Sequence, residues 1–203
     1  MQLRRTKLRS ARPTLDEGRA FAHYLDQAAE GFIGFMLGRR AEDIVARAFI
    51  QADHDLSFQN VTFAELDGVI VGMISGYTAE QHRQSSNLPL KRAAGRWNLR
   101  MRVVSVLFAP LLRIIDSIAD GDFYLHAVAV DSDLRGDGVG SALMDSLEDG
   151  AVAGGSARLV LDVTAENQGA RRLYERRGMT VESRWPRRVA LPKLKFLRMA
   201  KAL

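Results

Sequence analysis

The chain has 203 residues, 47% of them hydrophobic and 26% charged, and carries a formal net charge of +5. This length and balance predict a single folded domain over residues 1–203. The absence of cysteine excludes disulfides, thiolate metal sites and a cysteine acyl-enzyme. The basic N-terminus lacks the apolar core of a secretory signal, and no apolar run is long enough to span a bilayer, so we expect a cytoplasmic protein without membrane contacts.

The first sixty residues predict one strand and two helices. A strand is expected over 3–11, and Thr14 and Glu17 have the spacing of a reciprocal capping box at the start of the first helix. Residues 31–38 are apolar but interrupted by glycines, which predicts a mobile connection. Apolar residues at helical spacing predict a second helix over 41–51.

The next stretch predicts a hairpin and then a helical insertion near 80–120. Strands over 61–66 and 69–77 flank an Asp-Gly pair, which favours a two-residue hairpin turn. Residues 81–96 are polar and predict a loop. Helical spacing over 99–118 predicts a helix that Pro110 kinks or divides. We favour packing of this insertion on the core, and a lid or a homodimer surface is the alternative.

The stretch from Phe123 to Met144 has the order strand, glycine-rich turn, helix, which surrounds an anionic phosphate with backbone N–H groups. Gly138 and Gly140 lack a Cβ atom, so a pyrophosphate can approach the main chain, and Arg135 adds a cation. A dinucleotide fingerprint is disfavoured because its third glycine would come one residue later and such motifs open their domain. The spacing of Arg135, Gly138 and Gly140 resembles the acyl-coenzyme A loop of the GNAT family of N-acetyltransferases.

A second motif supports the same resemblance. After a predicted strand over 157–163, the chain follows the family pattern N-x-x-A-x-x-L-Y-x-x-x-G, and two further strands are predicted over 181–184 and 194–199. The matching residues are Asn167, Ala170, Leu173, Tyr174 and Gly178. The resemblance covers most of the chain, but it is weakest over 1–60 and absent over 80–120.

The resemblance implies an α/β fold with a mixed, mostly antiparallel sheet that is splayed at its central strands and flanked by helices. It implies transfer of acetyl from acetyl-coenzyme A to an amine by direct attack, without a metal or a covalent acyl-enzyme. The acceptor, a small molecule or a peptide, is not specified. The implied cofactor-binding residues are Val128, Ala129, Val130, Arg135, Gly136, Asp137, Gly138, Val139, Gly140, Ser141, Asn167, Ala170 and Tyr174.

Two residues are candidates for proton transfer. Tyr174 matches the family's general acid, which protonates the leaving thiolate, although an aromatic residue could also simply fill the core. The family's strand glutamate is absent, and His126 is the candidate base because it is expected on the same strand face as Val128 and titrates near pH ~6.5. A structural histidine is the alternative, and Glu65 is a weaker candidate base.

Two other function classes fit parts of the sequence. A coenzyme A-binding regulatory or interaction module would keep the cofactor without the chemistry. A cluster of seven arginines between residues 171 and 188 would suit nucleic acid, but no nucleic-acid-binding motif accompanies it, so we do not expect that partner.

Overall fold

The computed structural model describes residues 6–95, 98–107, 118–185 and 195–203. Within these ranges seven strands form one sheet. In chain order they are β1 (Lys7–Ser10), β2 (Val61–Leu66), β3 (Val69–Thr78), β4 (Asp122–Val130), β5 (Arg158–Thr164), β6 (Thr180–Trp185) and β7 (Phe196–Ala202).

The sheet has the order β1-β2-β3-β4-β5-β7-β6. All neighbouring strands are antiparallel except β4 and β5, which are parallel. These two strands pair only where Asp122–Leu125 meets Arg158–Leu161, and beyond that point they diverge. The mixed, mostly antiparallel sheet and its central opening confirm the predicted fold class.

Helices cover both faces of the sheet. They are α1 (Leu15–Ala28), α2 (Phe32–Leu37), α3 (Ala41–Phe49), α4 (Ala79–Gln84), α5 (Leu88–Ala94), α6 (Asn98–Leu107), α7 (Val139–Ala153) and α8 (Gln168–Arg176). One core lies between the sheet and α1 and α3, and a second lies between the sheet and α7 and α8. No helix in the described ranges is long and apolar enough to cross a membrane.

Two segments predicted to be loops are helical. The 31–38 segment contains α2, because Leu37 is buried in the first core and outweighs the flanking glycines. The 81–96 segment contains the end of α4 and the whole of α5. Helix α4 begins with a complete capping box between Thr78 and Gln81. The helix predicted over 99–118 is described up to Leu107, and Pro110 lies outside the described residues.

Of the two local motifs predicted in the first half of the chain, the hairpin turn forms completely and the capping box forms only in part. The hairpin is confirmed, because Asp67 and Gly68 have φ values of 53° and 83°, as a two-residue turn of the primed type requires. The capping box at Thr14 is only half formed. Its hydroxyl accepts from the Glu17 N–H at 3.3 Å, but the Glu17 carboxylate accepts from the Arg12 N–H at 2.6 Å instead of the Thr14 N–H.

The insertion contributes to the core, as favoured from the sequence. Met101 and Val104 of α6 are 5% and 7% exposed, and Met101 joins the core beside α1 and α3. Leu99, Val103 and Val106 on the same helix are exposed.

Candidate active site

The divergence of β4 and β5 opens a cleft of about 1270 Å³. One end is lined by the loop before α7 and by the start of α8, and we call it the cofactor end. The other end is lined by α2, α5 and the 51–57 loop, and we call it the acceptor end. Residues 124–130 of β4 line the cleft between the two ends.

Main-chain groups of β4 face the opening. The Asp131 N–H donates to the Val71 carbonyl at 3.0 Å. Because hydrogen-bonded pairs alternate along antiparallel strands, the N–H and C=O groups of Val128 and Val130 point away from β3, toward the diverging β5. One of these groups, the Val130 carbonyl, accepts a hydrogen bond from Gln27 Nε2 at 3.2 Å. An extended ligand could pair with these groups as an additional strand does.

The glycine loop leads directly into α7. Gly136 and Gly138 have φ values of 97° and 88°, a conformation that residues with a Cβ rarely adopt, and α7 begins one residue after Gly138. The loop residues that line the cleft are Arg135, Gly136, Gly138, Gly140 and Ser141. Asp137 is exposed and Val139 packs into the core at 5% exposure, so neither side chain lines the cleft.

The second motif forms the adjacent wall. Asn167 caps α8 by accepting from the Ala170 N–H at 3.0 Å, and its Nδ2 donates to Glu30 at 3.1 Å. Asn167, Ala170 and Tyr174 all line the cleft. Tyr174 is 7% exposed, and burial raises the pKa of its phenol to about 12. Because of this high pKa, the phenol is protonated at neutral pH. Its hydroxyl makes no hydrogen bond with the described residues, so it is available as a donor.

His126 lies on the opposite strand face from the one predicted. The register of β3 and β4 shifts between Ser75 and Gly76, so His126 is the extra residue of a β-bulge. Its ring lies 5.6 Å from that of Tyr77, whereas the Val128 side chain packs into the core beside α7 and α8. The bulge breaks the alternation on which the prediction depended.

His126 is less basic than an ordinary histidine. Burial lowers its pKa to about 4, Asp55 acts to raise it, and His82 acts to lower it further. The ring is partly exposed and lines the cleft. The contact between its Nδ1 and the Ser75 hydroxyl is long, at 3.5 Å. His126 is therefore neutral at pH 7.

Residues 37–179 match the model of the acetyltransferase (GNAT) family, which is more than half of the chain. The chain belongs to this family. No curated protein matches it.

Solved structures share the GNAT fold along almost the whole chain. An acetyltransferase is 22% identical with a TM-score of 0.66, covering 97% of this chain and 98% of that one. An N-acetyltransferase from Staphylococcus aureus Mu50 is 18% identical with a TM-score of 0.69, covering 96% and 100%. The ribosomal-protein-S18-alanine N-acetyltransferase from Escherichia coli is 18% identical with a TM-score of 0.58, covering 98% and 94%. At these identities the similarity shows the fold.

The GNAT cleft also contains side chains that the sequence patterns did not indicate. Asp55 lies at the acceptor end, and Tyr124 and Asp162 lie where the strands diverge. Asp162 forms a buried ion pair with Arg198 at 2.8 Å and accepts from the Tyr124 hydroxyl at 3.1 Å. These residues come from separate elements, so no local spacing could have identified them.

The remaining features considered from the sequence are Glu65, the arginine cluster and a metal site. Glu65 does not line the cleft, and its hydrogen bond to Arg9 lowers its pKa. Within the arginine cluster, Arg177 forms an ion pair with Glu148 at 3.0 Å, and residues 187 and 188 lie outside the described ranges. Among the described residues, no group of three or more His, Asp or Glu side chains comes together as metal ligands.

Proposed function

We propose that this GNAT acetyltransferase transfers acetyl from acetyl-coenzyme A to an amine by direct attack. The observation that carries the proposal is one continuous cleft. It joins the glycine loop, the outward main-chain groups of Val128 and Val130, and the protonated Tyr174 hydroxyl. Acetyl-coenzyme A supplies the activated acetyl group, and the chain supplies positioning, hydrogen bonds and proton transfer.

The cofactor end fits the parts of acetyl-coenzyme A. Arg135 and the backbone of residues 136–140, followed by Ser141, would bind the pyrophosphate, because a helix N-terminus and a guanidinium both favour anions. The main chain of residues 128–130 would pair with the pantetheine amides. Asn167 would contact the same arm with its Nδ2, which now donates to Glu30. The proposal therefore requires rearrangement at Glu30 and at Gln27.

The chemistry needs two hydrogen-bond donors on the thioester. The Val128 N–H would donate to the carbonyl oxygen, where negative charge develops during attack. The Tyr174 hydroxyl would donate to the departing sulfur, which is otherwise expelled as a thiolate. Tyr174 is protonated at neutral pH, as a donor must be.

His126 is the proposed proton acceptor for the attacking amine, either directly or through water. A pKa near 4 makes it too weak to deprotonate a free alkylammonium, whose pKa is about 10. Once the nitrogen is bonded to the carbonyl carbon, its proton is far more acidic, and a weak, neutral base then suffices. The ammonium would therefore lose its first proton to water, the neutral amine would attack, and His126 would accept the second proton at this later step.

Titration calorimetry with acetyl-coenzyme A, followed by thiol-release assays with a panel of amines, tests the proposal. We expect saturable 1:1 binding and amine-dependent thiol release. If acetyl-coenzyme A does not bind, the proposal is wrong. Binding without thiol release for any amine would favour the coenzyme A-binding module instead.

A further inference from the structure

The 51–57 loop holds one carboxylate in a fixed position at the acceptor end. The Asp55 N–H donates to the Ser85 hydroxyl at 3.0 Å, and the Asp55 carbonyl accepts from Asn60 Nδ2 at 3.4 Å. Asp55 Oδ2 accepts from His82 Nδ1 at 2.9 Å. Because an ionised carboxylate can only accept, Nδ1 of His82 carries the proton. Two segments, α4 with its C-cap Ser85 and the turn that contains Asn60, therefore fix the backbone and the side chain of Asp55.

The neighbouring His54 stabilises the same loop. It is 6% exposed, and its Nε2 lies 2.9 Å from the Ala48 carbonyl while its Nδ1 accepts from the Leu56 N–H at 3.2 Å. Burial lowers its pKa, so it contributes hydrogen bonds but no positive charge at neutral pH. The loop is thus ordered before any ligand binds.

Asp55 faces the reaction centre. It lines the cleft together with Tyr77 and His126, and the His82 ring stacks on Tyr77 at 5.5 Å with an interplanar angle of 11°. Its charge acts on the His126 ring, which lies about 7 Å along β4 from Val128. Within the described residues, Asp55 Oδ1 accepts no hydrogen bond. One carboxylate oxygen is therefore available to a ligand near the thioester.

Most of the other side chains described at the acceptor end are apolar, and Ser85, Ser86 and Asn87 are polar but uncharged. The arginines that line the cleft, Arg135 and Arg176, belong to the glycine loop and to α8, and the described residues of the acceptor end include no lysine or arginine. Its apolar wall is formed by α2, α5 and the end of α1. The side chains are Leu25, Phe32, Ile33, Phe35, Met36 and Leu90.

We propose that Asp55, positioned by His82, binds the ammonium group of the acceptor, and that the acceptor is a primary amine with an apolar body and no carboxylate. This inference rests on the proposed acetyl transfer. Asp55 binds the amine as its ammonium form, and the apolar wall holds its body. One proton passes from the ammonium to water before the nitrogen attacks, and His126 accepts the second proton after attack. An α-carboxylate on the acceptor would face Asp55, and the described residues of the acceptor end provide no lysine or arginine to offset the repulsion.

Phenethylamine and phenylalanine form a matched pair of probes, because they differ only in the α-carboxylate. With saturating acetyl-coenzyme A, we expect kcat/KM for phenethylamine to exceed that for phenylalanine by about 10-fold or more. Asp55→Asn should lower kcat/KM for phenethylamine by about 10- to 100-fold, mostly through KM, as expected for loss of a charged hydrogen bond. The loss for phenylalanine should be smaller.

Asp53→Asn is the matched control, since Asp53 belongs to the same loop but does not line the cleft. It should leave both KM values unchanged. At position 82, His82→Asn keeps an N–H donor for Asp55 and should remain within about 3-fold of wild type. His82→Leu removes the donor and should raise KM for phenethylamine by about 10-fold with little change in kcat.

Calorimetry with acetyl-coenzyme A on each variant distinguishes failure of this inference from failure of the proposed acetyl transfer. The inference is overturned if Asp55→Asn leaves KM unchanged, or if phenylalanine is acetylated as well as phenethylamine. It is also overturned if the wild type binds acetyl-coenzyme A but acetylates neither amine, a result that leaves cofactor binding intact. Failure of the wild type to bind acetyl-coenzyme A would overturn the proposed function and this inference together.

Discussion

The two ends of the cleft are built from different parts of the polypeptide. At the cofactor end, main-chain N–H and C=O groups of Val128 and Val130 face the cleft, together with the glycine loop and side chains such as Asn167 and Tyr174. At the acceptor end they are side chains, such as Asp55 and Phe35, supplied by separate loops and short helices. A ligand bound at the first end meets both backbone and side chains, and a ligand bound at the second meets mainly side chains.

This difference explains how each end can change during evolution. A main-chain site needs particular backbone conformations, and only a few residue types permit them, as the φ of 88° at Gly138 illustrates. A side-chain site needs only a suitable group at the right point in space. If the acceptor binds as proposed, substitution of Asp55 or Phe35 would alter the preferred acceptor, and one scaffold could serve many acceptors.

The largest effect is expected from removal of the Tyr174 hydroxyl at the cofactor end. Tyr174→Phe should lower kcat by about 100- to 10,000-fold, since general acid catalysis contributes on that scale. The dissociation constant for acetyl-coenzyme A and the KM for the amine should stay within a few-fold, because the ring still fills its place in the core. Steady-state thiol release and calorimetry provide both values.

Tyr24→Phe is the control for loss of a tyrosine hydroxyl. The Tyr24 hydroxyl donates to Asp131 at 2.8 Å and lies 3.1 Å from the Ile70 carbonyl, and Tyr24 does not line the cleft, so this variant should lose about 1 kcal/mol of stability but keep its kcat. An unchanged kcat in Tyr174→Phe would remove Tyr174 from the proposed mechanism.

The second prediction concerns His126, where the two ends meet. Its pKa is about 4 in the folded protein, below the value of about 6.5 expected when unfolded, so folding favours the neutral ring. Its contribution to stability is complete above pH 6.5 and is lost as pH falls through 4. The loss is at most about 3 kcal/mol. Urea unfolding at several pH values between 7.5 and 4 measures this slope.

His126→Gln should flatten the slope, whereas His23→Gln, at an exposed ring, should not. Part of the slope should persist in His126→Gln, because the pKa of buried His54 is also lowered. In catalysis, His126 should produce no inflection of kcat/KM near pH 6.5. An inflection there that disappears in His126→Gln would contradict the low pKa.

The same contrast explains what could be predicted from the sequence. The hairpin, β4, α7, β5 and α8 were predicted because glycines, caps and strand runs mark backbone geometry locally. The Asp55–His82 pair was missed because its members are 27 positions apart and meet only through the fold. The face of His126 was mispredicted because a β-bulge depends on strand pairing, which a single strand does not reveal. Helices α2 and α5 were missed because tertiary packing outweighs their weak local signals.

The smallest effect is expected from Gly138→Ala, which tests whether the cofactor end depends on backbone shape. An alanine at a φ of 88° costs roughly 1–2 kcal/mol, although no described atom lies within 4 Å of the added Cβ. Partial relief of this strain would turn the N–H groups that precede α7. We therefore expect an acetyl-coenzyme A affinity about 10-fold weaker by calorimetry, with KM for the amine unchanged.

Gly155→Ala is the matched control for that strain. Gly155 follows the other end of α7 with a φ of 80° and equally open space around its Cβ position, but it does not line the cleft. Both variants should lose similar stability in urea unfolding, because the backbone strain is the same. Only Gly138→Ala should weaken cofactor binding. Equal affinities in the two variants would show that binding depends on the side chains of Arg135 and Ser141, and the contrast between the two ends would then fail.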